Sequence, residues 1–112
     1  MTITRERRVK PSSISIGYEF LGRVRAAADL DQRTVSGLIQ VALSQVPSGE
    51  VRFTEDPDNA RRAGAKIISV SMPPSIWEEA SRSSRRLHLT RSSYVRRAVA
   101  RYLRTRNLGA AA

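Results

Sequence analysis

Ser13-Ile14-Ser15-Ile16 and Ser69-Val70-Ser71-Met72 lie 56 positions apart and alternate small polar with apolar residues. A period of two sends alternate side chains to opposite faces, so each stretch is expected to form a strand of about five residues with one apolar face. Such a strand cannot stand alone, because its backbone groups need a partner strand and its apolar face needs a cover. The recurrence runs further. At the same offset Lys10 falls on Lys66, Thr34 on Thr90, Ser36 on Ser92 and Ala42 on Ala98, all identical. The apolar pattern follows, with Phe20 and Leu21 on Ile76 and Trp77, Val24 on Ala80, Leu38 and Ile39 on Tyr94 and Val95, and Leu43 on Val99.

After each strand the apolar spacing widens to that of a helix. Phe20, Leu21, Val24, Ala27 and Ala28 form one stripe, and Ile76, Trp77, Ala80 and Leu87 the other. Ser75 and Glu78 are spaced as a capping box, with Pro74 tolerated in the first turn. Thr34 and Thr90 are suited to N-cap a second helix in each unit. Its inner face is expected at Leu38, Ile39, Ala42, Leu43 and Val46, and at Tyr94, Val95, Ala98, Val99, Tyr102 and Leu103. The order strand, helix, helix therefore occurs twice, in units at 11–46 and 66–106. A basic arm at 1–10 precedes them, a polar linker at 47–65 joins them, and a frayed tail at 107–112 follows. Within the linker, Val51-Arg52-Phe53-Thr54 has the composition of a short extra strand.

Each unit is too small to bury a sufficient core alone, so the units must pair. Folding back within one chain is the preferred architecture, and pairing with a second chain is the alternative. The fold class expected is mainly α with a short two-stranded antiparallel ribbon.

Charge points to the partner. The formal net charge is +10, and residues 57–112 carry 12 basic against 3 acidic side chains, whereas residues 1–56 carry 8 against 7. An excess of that size on 112 residues favours a polyanion, with nucleic acid ahead of an anionic membrane surface. The chain lacks cysteine and holds one histidine, which leaves no thiolate or paired-imidazole metal site. No apolar run approaches the roughly 18 residues of a membrane span, and Met1–Lys10 lacks a signal-peptide core. A soluble, cytoplasmic protein is expected. Glu78 and Glu79 read as first-turn charges, and no nucleophile–base constellation is visible, so an enzyme, a cofactor and a small-molecule substrate are not expected. Trp77, Tyr94 and Tyr102 fall on inner helix faces and read as core, and His88 reads as a loop residue.

A short amphipathic strand followed by two helices resembles the ribbon-helix-helix family, the class of the Arc, MetJ and CopG repressors. The likeness is strongest from Lys66 to Leu103, notably in Thr90-Arg91-Ser92-Ser93-Tyr94-Val95-Arg96-Arg97-Ala98-Val99, and it extends to Ser12–Leu43. The resemblance implies that two copies pair their strands into a ribbon that enters the major groove of double-stranded DNA. Here the two copies would form an intramolecular pseudo-dimer. Base-reading positions carry over onto Ser13, Ser15, Ser69 and Ser71, and onto Pro11 or Ile67 one step earlier. Serine donates to or accepts from any base edge, so such a ribbon discriminates less than one bearing arginine or asparagine.

Thr34 and Thr90 head helices whose unpaired N–H groups suit phosphate. The resemblance implies that these ends clamp the DNA backbone, with Ser36, Ser92 and Arg91 as donors. Val35 stands where the second unit has Arg91, so the clamps are expected to be unequal. Arg5, Arg7, Arg8, Lys10 and Lys66 lie in sequence just before the strands and would follow phosphates. About half of the nine arginines between Arg82 and Arg106 are expected on a solvated helix face.

Transcriptional repression is the commonest use of the fold. Tandem copies also resemble accessory proteins of the conjugative relaxosome, and partition proteins share the fold. An antitoxin would need a longer extension beyond Leu103. Further self-association on DNA is compatible with all of these.

Overall fold

The two alternating stretches pair with one another inside the chain. Strand β1 (Lys10–Gly17) runs antiparallel to β2 (Ala65–Met72), and together they make a two-stranded sheet. The computed structural model describes residues 10–57 and 64–111. In the register Ser13 faces Ser69, Ser15 faces Ile67, Pro11 faces Ser71 and Lys10 faces Met72. Each strand is eight residues long instead of about five. The extra length comes from flanks without alternation, which pair because an opposite strand supplies ladder bonds whatever the side chains are.

Ile14, Ile16, Val70 and Met72 are buried on the inner face, as the alternation requires. Four longer helices cover them. Helix α1 (Tyr18–Leu30) and α2 (Val35–Gln45) follow β1, and α4 (Pro74–Arg86) and α5 (Arg91–Ala111) follow β2. The core joins both parts of the chain: Phe20, Leu21, Val24, Leu38 and Ile39 pack in one cluster with Trp77, Val95 and Val99. Among the described residues no helix is long and apolar enough to cross a membrane.

The first helix of each pair ends in the same way. Gln32 takes φ 56° and His88 takes φ 61°, two left-handed residues 56 positions apart. Arg33 N–H donates to Ala28 O at 2.8 Å and Leu89 N–H to Ser84 O at 2.9 Å, closing a Schellman turn at each end. His88 thus serves as a helix stop. The second helices begin on their threonines: Thr34 Oγ1 accepts from Gly37 N–H at 2.9 Å, and Thr90 Oγ1 accepts from Ser93 N–H at 3.0 Å.

Four expectations need correction. The Ser75–Glu78 capping box is not formed, because α4 starts at Pro74 with Pro73 at its N-cap and no side-chain cap. Two prolines hold φ near the helical value, and Pro74 has no N–H to cap, which moves the start upstream of Ser75.

In its described stretch at residues 47–57, the linker is not a loose polar segment, nor does Val51-Arg52-Phe53-Thr54 extend. Residues Ser48–Arg52 form a short helix, α3, and Val51 is fully buried against Ala80, Tyr94 and Ala98. Ser48 Oγ hydrogen-bonds Tyr94 Oη at 3.0 Å and donates to Ser83 Oγ at 3.1 Å. Asp56 accepts from Arg96 Nε at 3.0 Å and Nη2 at 2.9 Å, and from Ser93 Oγ at 3.0 Å.

About half of the nine arginines between Arg82 and Arg106 do lie on a solvated face, since Arg82, Arg85, Arg86, Arg91 and Arg104 are exposed and the other four are partly buried. Arg97 donates to Thr54 O, Arg101 pairs with Glu50 and Arg106 with Asp31. Finally, α5 continues through Ala111 where fraying was expected, in keeping with the helix propensity of alanine.

Candidate nucleic-acid interface

The outer face of the sheet follows from the parity of its inner face. Ser13, Ser69 and Ser71 are exposed there, Ser15 is half-buried, and Ile67 is 72% exposed. The backbone of Pro11 pairs with that of Ser71. This proline shares the parity of Ser15, whose N–H turns away from β2, so its missing N–H costs no ladder bond.

What holds this face in place was only partly foreseen. Ser92 Oγ accepts from Ser15 N–H at 3.0 Å, and Ser36 Oγ accepts from Ser71 N–H at 3.0 Å. One turn further on, Arg96 Nη1 donates to Ser15 O at 2.7 Å, and Gln40 Nε2 donates to Ser71 O at 3.0 Å. Each strand edge is therefore closed by the helix that follows the other strand. Ser36 and Ser92 were expected to face phosphate, and the structure engages them first with the sheet backbone. Their hydroxyl oxygens are used as acceptors, and a hydroxyl that accepts still has one proton to donate. Gln40 and Arg96 were not singled out from the sequence. The signal was present, since they too are 56 positions apart and both are long polar donors one turn after the matched serines.

Thr34 and Thr90 are both exposed at their helix ends. Arg91, beside Thr90, stacks over Trp77 with its guanidinium carbon 4.8 Å from the ring centroid, and its Nη1 lies 3.4 Å from Ser81 Oγ. Trp77 thus combines a core position with a platform for a cation. A groove of about 660 Å³ opens here, lined by Ser12, Ser13, Trp77, Glu78, Ser81, Arg82, Arg85 and Arg91. It brings three arginines beside the outer face of the sheet, two of them from α4 and unanticipated as candidates. Glu79 pairs with Arg82 at 2.6 Å, and that hydrogen bond holds its carboxyl below the ordinary value. The positions 56 residues before Arg82, Arg85 and Arg91 are Ala26, Asp29 and Val35. The expected inequality between the two helix ends is therefore a difference of several charges.

Lys66 is exposed opposite Ile16, on the helix side of the sheet by parity, so it does not join the serines on the outer face. The backbone of Lys10 pairs with Met72, and Arg5, Arg7 and Arg8 lie outside the described residues. Among the described residues no cluster of His, Cys, Asp or Glu could hold a metal ion. The chain matches no protein-family model, no characterised protein and no solved structure.

Proposed function

We propose that this chain is a sequence-specific double-stranded DNA-binding protein, a tandem ribbon-helix-helix module whose two units form a pseudo-dimer and whose β1–β2 ribbon enters the major groove. The observation that carries the reading is the register. Ser13 faces Ser69, its own counterpart at the offset of 56, so a pseudo-twofold axis passes through that pair. The reciprocal grips of Ser36 and Gln40 on Ser71, and of Ser92 and Arg96 on Ser15, obey the same axis.

Two strands spaced about 4.8 Å apart, with small side chains, suit a major groove roughly 12 Å wide. Ser13, Ser15, Ser69, Ser71 and Ile67 then meet base edges. The α2 and α5 N-termini at Thr34 and Thr90 flank the ribbon and meet phosphates, joined by Arg91 and its neighbours in the arginine groove. Bound near a promoter, such a module acts as a transcriptional regulator.

Sedimentation combined with fluorescence anisotropy of labelled duplex at 50 and 200 mM salt tests this. The expected result is a monomer that binds duplex, with affinity falling by about 10³ or more over that interval for six or more phosphate contacts. Absent or salt-insensitive duplex binding would overturn it.

A further inference from the structure

Among the described side chains, the outer face of the ribbon is built from small residues except at one place. Ile67 stands 72% exposed between Ala65 and Ser69 on its own strand, opposite Ser15. Every one of these neighbours is shorter, so the isoleucine projects above the face. Among the described residues it joins neither core cluster, whereas the adjacent Ile68 packs against the core. Strand propensity does not account for it either, since threonine serves a β-strand nearly as well and keeps an exposed surface polar. The counterpart position 56 residues earlier is Pro11, opposite Ser71. The two ends of the ribbon face are therefore chemically unlike.

Base edges in the major groove present hydrogen-bond donors and acceptors, and one apolar group, the C5 methyl of thymine. The serines beside Ile67 accept any edge. An isoleucine pressed into that groove covers polar base edges and strips them of water without replacing their hydrogen bonds, unless the group beneath it is itself a methyl.

Resting on the DNA-binding reading above, we propose that Ile67 is a specificity-determining residue that selects thymine, through its C5 methyl, at one position beneath the Ser15–Ile67 pair. The site bound is then asymmetric, with the methyl read at one end of the ribbon only.

Removing single methyl groups from the DNA tests the proposal without altering its hydrogen bonding. The tightest site is selected from random duplex with the full chain, and each thymine in it is replaced in turn by deoxyuridine. One position is expected to lose about fourfold in affinity, the worth of one buried methyl, while the others lose little. In Ile67→Ser, which carries no methyl group, the same replacement is expected to cost nothing, with far-UV circular dichroism unchanged. A site with no thymine beneath the ribbon, a uniform response to deoxyuridine, or undiminished sensitivity in Ile67→Ser would overturn the proposal while leaving DNA binding intact. Failure to select any duplex would instead overturn the function from which it starts.

Discussion

Gln32 and His88 hold backbone conformations that side chains disfavour, at φ 56° and 61°, and both close the turn after a helix. A left-handed non-glycine residue costs roughly 1–2 kcal/mol, part of which glycine would return as chain entropy. His88→Gly and Gln32→Gly are each expected to raise stability by about 0.5–1 kcal/mol, read as a higher urea midpoint at unchanged slope. A fall in the midpoint would show that the side chain contributes more than the strain costs. The position of these residues was legible as a break between helices, but their conformation was not, because neither glycine nor asparagine marks it.

Asp56 is the contrasting case. It sits in a segment read as polar linker, and its partner Arg96 was one of nine arginines not told apart by sequence, yet the two side chains are only 16% and 13% exposed and joined by a bidentate pair. No spacing rule connects residues 40 positions apart on elements of different kinds. Asp56→Ala is expected to cost about 2–3 kcal/mol, because a largely buried guanidinium loses its carboxylate. Thermal melts of the variant check it.

Among the elements, the strands and the four long helices followed directly from periodicity. Ile14, Ile16, Val70 and Met72 went inward, and Phe20, Leu21, Val24, Leu38 and Ile39 went to the core, as their spacing required. The element that escaped was α3. Five residues with a single buried apolar side chain, Val51, are too few to show a period, and the helix forms because that valine docks on α4 and α5. The edges of the sheet were equally hidden. A two-stranded sheet exposes an unpaired edge on each side, and here both are covered by side chains from a helix distant in sequence. Ser92→Ala removes the acceptor for Ser15 N–H and is expected to cost about 1–3 kcal/mol, with faster hydrogen exchange at the Ser15 amide. Ser36→Ala should do the same at the Ser71 amide. Exchange that accelerates equally throughout the chain would mean that global stability, not edge closure, had changed.

At the scale of the whole molecule, the two halves share a backbone plan and differ in charge. An ordinary symmetric pair would place the same groups on both flanks of the ribbon. Here Arg82, Arg85 and Arg91 line a groove on one flank, and Ala26, Asp29 and Val35 hold the matching positions on the other. If the module lies on DNA with its ribbon in the groove, these three positions attract phosphate on one flank, and on the other they are neutral or repel it. Arg91→Ala is then expected to weaken all duplexes alike and to flatten the salt slope by about one, because one counterion fewer is released.

Asp29 offers the converse experiment, since it is exposed and matches Arg85 at the offset of 56. Asp29→Arg replaces a repelling charge with an attracting one and leaves the outer face of the ribbon untouched. The expected outcome is tighter binding to cognate and random duplex in equal proportion, with a salt slope steeper by about one. An unchanged slope would place that flank away from the phosphates and break the pseudo-symmetric docking. A change in sequence preference would mean that Asp29 lies closer to the bases than the ribbon geometry allows.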